Sequence, residues 1–129
     1  MKILSLLTQG FLAGGLAAAI NIVIYFIAKS MGTLNDRVLL PPGKPLGPLP
    51  VIFSSLISAV VACVFLFVLF KTVYNPVTVF TIIGVAFLLL SLAGPFSIRG
   101  VPGRAKITLA LMHIFAGVII IFMLNKINN

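Results

Sequence analysis

The sequence predicts an all-α fold: an integral membrane four-helix transmembrane bundle with a Pro/Gly-rich loop between the first and second helices. Three observations lead there. The chain of 129 residues is 61% hydrophobic and 8% charged, against about 25% charged in soluble domains, so it has no charged shell to turn toward water. Its apolar residues fall into four runs, and about 20 helical residues cross a bilayer core of about 30 Å. Such runs must be helical, because open strands would leave unpaired backbone groups in lipid. The expected helices cover residues 3–29, 50–71, 76–93 and 106–125, with a loop at 30–49, in one transmembrane domain over 1–129.

The net charge of +8 does not indicate nucleic acid. The basic residues are scattered at the ends of the apolar runs, where they anchor helices at the headgroup layer. Membrane lipids, not nucleic acid, are the expected surroundings.

The first helix opens after Lys2 and closes at Lys29. A signal peptide would offer the same positive start and an Ala17-Ala18-Ala19 cleavage region. The apolar run continues past that point through Ala28, which favours a retained span. Gly10, Gly14 and Ala18 recur every four residues, a pattern that lets helix backbones approach closely in lipid. Asn21 and Tyr25 continue that stripe, so it should face protein. The loop at 30–49 with Pro50 holds five of the eight prolines and the single acid, Asp36. Proline lacks a donor and fixes φ, so no helix crosses this stretch. A short extended arm is expected at Arg37 to Leu40, and the Asp36–Arg37 pair reads as solvated.

The second helix carries Ser54, Ser58 and Ala62 on one stripe, with Ser55, Ala59 and Cys63 beside it. Small residues at this spacing mark a helix–helix face, and the lone Cys63 reads as a packing residue, with no disulfide or redox pair open to it. Pro76 suits the first turn of the third helix, which reads as stopping at Gly94-Pro95. The fourth carries His113 on a stripe with Ala110, Ala116 and Gly117, so His113 should point inward. No period of 20 to 50 residues repeats, so an inverted-repeat transporter is not indicated.

Counting depth from the helix ends places His113, Asn21, Tyr25, Ser54, Ser58 and Ser91 in one polar layer beneath the long loop. These are the candidate ligand-binding residues. An ionisable group within a membrane raises a functional hypothesis; against it stands a histidine that only pins helices together through Asn21, Tyr25 or Ser91. A haem held by His113 from two protomers, or by His113 and Met112, has nothing specific behind it, and zinc needs three or four ligands where one histidine and one cysteine exist. No metal and no cofactor are expected. Arg99, Arg104 and Lys106 form a candidate anion or headgroup site above the layer, or simply a basic turn.

The stretches SLAGPF (91–96) and LALMHIFAG (109–117) resemble an uncharacterised bacterial family of four-helix membrane proteins, DUF6069. Ser91 and Pro95 match a Ser-x-x-x-Pro ending its third helix, and Met112 and His113 its Met-His pair. Asn21 and Tyr25 match an Asn-x-x-x-Tyr in its first helix. The resemblance implies a four-helix fold in a bacterial inner (cytoplasmic) membrane and supplies no activity.

Enzymes are disfavoured. No carboxylate lies in a span to carry protons, no cysteine pair serves redox chemistry, and Asp36 in a loop is a poor partner for a His113 triad. Two functions compete. One is a module that binds a lipid-like or amphiphilic small molecule in the polar layer, entering from the loop side. The other is a structural or accessory subunit that packs with partner helices or self-associates, which small stripes left unfilled within one copy would favour. A channel or carrier would need a wet path through an apolar lower half. Six basic residues on the loop side against three opposite favour a cytoplasmic loop side, although Lys2 before the first span argues the reverse.

Overall fold

Apolar sequence without an internal proline carries the first helix, α1, unbroken over Ile3–Ser30. The structure, a computed structural model, describes residues 3–35, 37–40 and 43–128. Lys2 and Asp36, and with Asp36 its pairing to Arg37, lie outside the described residues. α1 ends where Gly32 turns left-handed at φ +76°, so that Thr33 N–H reaches back to the Ala28 carbonyl at 2.9 Å. A glycine just past the last turn is the residue that accepts this conformation without strain.

The long loop folds as a small hairpin. β1 (Leu39–Leu40) pairs antiparallel with β2 (Lys44–Pro45), Leu40 opposite Lys44. The extended arm expected at 37–40 is therefore real in its second half. α2 (Pro48–Thr72) begins with prolines in its first turn, and α3 (Pro76–Ser91) begins at Pro76; the missing proline N–H is no loss there. The third span does not stop at Gly94-Pro95 as expected. It continues as the one-turn α4 (Ala93–Ser97), with Pro95 in the first turn, where its ring displaces no hydrogen bond. α5 (Gly103–Asn125) starts three residues earlier than expected, and a short 3-10 turn closes the chain at Lys126–Asn128. All four spans are long and apolar enough to cross a membrane.

α1 packs on α2 and α5, and α3 packs on α5 and α2, while α2 and α5 touch each other little. Two close approaches depend on glycine. A Cβ on Gly10 would overlap Cys63 Sγ, and one on Gly14 would meet Ala59 Cβ at 2.9 Å. On the other side, a Cβ on Gly117 would lie 2.6 Å from Leu88 of α3. The α1 stripe thus faces α2 within one chain, and α2 answers with Val51, Ser55, Ala59 and Cys63, all buried. The Ser54–Ser58 stripe lies one helical step around and is exposed.

Two apolar clusters fill the bundle. Leu6, Ala13, Ala59, Cys63, Leu66, Phe80, Ile120 and Leu124 form the half far from the long loop. Tyr25, Ala28, Leu34, Val38, Val51, Val101, Ala105 and Met112 close the loop-side end. α3 contributes only Phe80 to the fully buried set, beside Phe65 of α2.

Candidate functional site

Between these clusters, where α2 and α5 stand apart, α1 forms the floor of a cleft of about 160 Å³. Asn21 comes from α1; Ser54, Ser55 and Ser58 from α2; Met112, His113 and Ala116 from α5; Leu46, Pro50, Val51 and Leu109 complete the wall. Asn21 lies nine residues before the end of α1 and His113 ten residues after the start of α5. At a rise of 1.5 Å per residue, that is about 14 and 15 Å from the loop-side helix ends. Both groups therefore lie well inside the span.

Asn21 and Ser55 make the inner end, at 5% and 3% exposure. Asn21 Nδ2 donates to Ser55 Oγ at 3.3 Å, and Ser55 Oγ donates to the Val51 carbonyl at 2.9 Å. Because the serine proton is already committed, the amide must turn its NH₂ toward Ser55. Its carbonyl oxygen Oδ1 is then left buried without a hydrogen-bond partner among the described residues. Buried polar atoms of this kind are uncommon, and each calls for an explanation.

The inward register of α5 runs through Ala105, Ala110, Met112, Ile120 and Leu124. His113 shares that face, as the sequence predicts: it precedes Ile120 by seven residues and Leu124 by eleven, within about 20° of each at about 100° per residue. Its exposure comes from the gap between α2 and α5 at its level, not from the register. His113 is exposed at the bundle surface yet lines the cleft, as do Ser54 and Ser58 across from it. These three and Pro50 form a mouth on the flank between α2 and α5.

Of the six candidate residues, four line the cleft and two do not. Tyr25 is buried above it and donates its hydroxyl to the Leu46 carbonyl at 2.9 Å. It fastens the long loop over the cleft and so sets one wall indirectly. Ser91 donates to the Leu88 carbonyl of its own helix at 2.7 Å and contributes nothing to the cleft. Arg99 and Arg104 are exposed on the turn before α5 and its first residues, and Lys106 Nζ reaches the Phe96 carbonyl at 3.4 Å. None of these three cations lines the cleft. Among the described residues, no three His, Cys, Asp or Glu side chains come together as metal ligands would.

Sequence reasoning passes over Ser55 as a site residue, although its stripe with Ala59 and Cys63 is visible there. The position 34 residues from Asn21 becomes its partner only through the α1–α2 register. A second polar contact also escapes the sequence, at the opposite end of the bundle, where Asn125 Nδ2 donates to Thr81 Oγ1 at 2.8 Å.

A family model described as Family of unknown function (DUF6069) matches residues 3–129. No curated protein and no solved structure matches the chain.

Proposed function

The chain belongs to the DUF6069 family, whose function is unknown, and from that premise we propose that this integral multi-pass membrane protein binds a lipid-like amphiphile in the cleft between α1, α2 and α5. The observation that carries the reading is the convergence of Asn21, Ser55, Ser54, Ser58 and His113 from three helices on one cleft within a span. A few placed polar groups in an otherwise apolar concavity are the usual form of a small-molecule site. The reading is of binding without catalysis: the cleft brings His113 near hydroxyls and an amide, and no lining carboxylate or second titratable group would move a proton from it.

Access is from the bilayer. Leu46 and the cluster of Leu34, Val38, Val101 and Met112 roof the loop-side end, while the mouth opens on a flank that faces acyl chains. This replaces approach from the loop with sideways approach, which suits a molecule already dissolved in the membrane.

A second reading, as a subunit that packs with partner helices, has one observation behind it: α3 buries only Phe80 and leaves a bare apolar face. The stripes Gly10–Gly14 and Ala59–Cys63 do not favour it, since they fill each other within one chain.

Native mass spectrometry of the gently released protein, wild type beside His113→Ala, tests the proposal. A co-purifying small molecule weakened or lost in the variant is the expected result. Bare chains, or oligomers held alike in both proteins, would move the assignment to the subunit reading.

A further inference from the structure

The cleft carries more information than its polarity, because its hydrogen-bonding groups are mostly acceptors. Ser54 Oγ donates to the Val51 carbonyl at 3.1 Å, Ser55 Oγ to the same carbonyl at 2.9 Å, and Ser58 Oγ to the Ser54 carbonyl at 2.7 Å. The Val51 carbonyl also accepts the helical N–H of Ser55 and has room for one hydroxyl, so the protons of Ser55 and Ser58 are committed to the backbone of α2 while that of Ser54 can turn toward the cleft. A hydroxyl oxygen has two lone pairs besides its proton. Ser54 and Ser58 keep both lone pairs, and Ser55 keeps the one that Asn21 does not use. Asn21 Oδ1 adds a buried acceptor with no partner among the described residues. Against these acceptors the cleft offers fewer donors: the hydroxyl of Ser54, the second N–H of Asn21 and one ring N–H of His113.

No Lys, Arg or carboxylate lies among the described lining residues. A charged head would therefore be desolvated without a counter-charge, which costs far more than placing a neutral polar group that is hydrogen-bonded. The volume bounds the head as well. A cavity of about 150 Å³ accepts a six-membered ring of benzene size, so about 160 Å³ admits a head of roughly six heavy atoms and leaves any longer tail outside the mouth.

Building on the binding reading above, we propose that the cleft selects a neutral lipid whose small head carries free hydroxyls, of the monoacylglycerol or long-chain alcohol class. Its hydroxyl proton is donated to Asn21 Oδ1 after a small turn of that amide, whose oxygen is sealed in this structure; the serine oxygens accept from any further hydroxyl, and His113 meets the head at the mouth. The acyl tail leaves between α2 and α5 into the bilayer. Anionic lipids are disfavoured by a wall without a cation, since Arg99, Arg104 and Lys106 do not line the cleft.

The test uses the full chain in nanodiscs of phosphatidylcholine, whose head has no hydroxyl or N–H to compete. Three photoactivatable probes with the same tail are titrated: a monoacylglycerol, its di-O-methyl ether, and the fatty acid. Crosslinks to residues 50–58 and 109–116 are read by mass spectrometry. The monoacylglycerol is expected to saturate at a concentration about tenfold below the ether, the usual size of one lost hydrogen bond. Asn21→Leu should bring the two together. Should that variant not fold, the wild-type comparison of alcohol with ether still decides. Equal saturation by the ether, or tighter binding of the fatty acid, overturns the selectivity; if Ser58→Phe, at the exposed mouth, blocks that crosslinking, the binding reading stands without it. Failure of every probe to saturate, or indifference to Ser58→Phe, overturns both.

Discussion

The contact between Gly10 and Cys63 allows the α1–α2 interface to be tested quantitatively. In Gly10→Ala the new methyl overlaps Cys63 Sγ, and Cys63 cannot swing away freely, being 1% exposed with its thiol donating to the Leu6 carbonyl at 3.5 Å. Overpacking of this kind costs about 1 to 3 kcal/mol. Alanine's better helix propensity returns about 1 kcal/mol, so the single variant should lose about 0 to 2 kcal/mol. Cys63→Ala alone should lose about 1 kcal/mol through forfeited packing. In the double variant the methyl introduced at position 10 takes the space the sulfur vacates. The propensity gain is common to both backgrounds and cancels, so a double-mutant cycle isolates the clash as a coupling of about 1 to 3 kcal/mol. Reversible unfolding in mixed micelles, followed by helical circular dichroism, measures it. A coupling below about 0.5 kcal/mol, the level at which independent sites add, would refute the close approach. The same variants separate internal packing from self-association: if the Gly10–Gly14 stripe joined two copies, Gly10→Ala would change the oligomer's mass rather than the coupling within one chain.

Two further outcomes follow from the same geometry. Tyr25→Phe removes the hydroxyl that holds Leu46 and should lower stability by about 1 to 2 kcal/mol. Faster amide hydrogen exchange over 38–47 is the accompanying sign, and unchanged exchange there would show that the roof does not depend on this bond. Asn125→Leu discards the bond to Thr81 Oγ1 together with a buried carbonyl that has no partner among the described residues. Thr81 keeps its own bond to the Val77 carbonyl at 2.8 Å, so the change should be neutral to stabilising by about 1 kcal/mol; a loss above about 2 kcal/mol in the same unfolding assay would show that the amide is needed.

The four spans can be read from the sequence because lipid leaves few alternatives: long apolar runs bounded by Lys29, Lys71 and Pro76 can only be helices. Asn21 and Tyr25 fall on a protein-facing stripe, as the sequence predicts, since the small residues Gly10 and Gly14 fix which face of α1 is inward. His113 is harder. Its neighbours at three and four residues are small, and it does share the α5 face of Ile120 and Leu124. What the sequence does not give is the spacing of α2 and α5 at that level, and because the two helices stand apart there an inward-facing group ends as a rim group. Ser91 shows a different limit: depth in the membrane can be counted along a helix, but the direction in which a hydroxyl points cannot, and this one satisfies its own backbone. The roof over the cleft is illegible in the sequence because it depends on a loop-to-helix bond between Tyr25 and Leu46, and nothing periodic announces such a bond.

Asn21 and Asn125 make an instructive pair. Each is an amide that donates to a hydroxyl on a neighbouring helix, and each has a buried carbonyl oxygen without a partner among the described residues. Asn125 is the last residue of α5, at the end of a span, where the fraying common to helix ends would let water reach its oxygen. Asn21 is about 14 Å from its helix end and has no such relief. An unmet acceptor at that depth costs about 1 to 3 kcal/mol, and Leu at the same position would remove the cost while filling the same stripe. What distinguishes the two sites is therefore the cleft: Asn21 stands at the inner end of a space open on the flank between α2 and α5. Under the proposed binding, a hydroxyl arriving through that opening would be the partner its carbonyl lacks, and the penalty would fall on the unliganded protein alone.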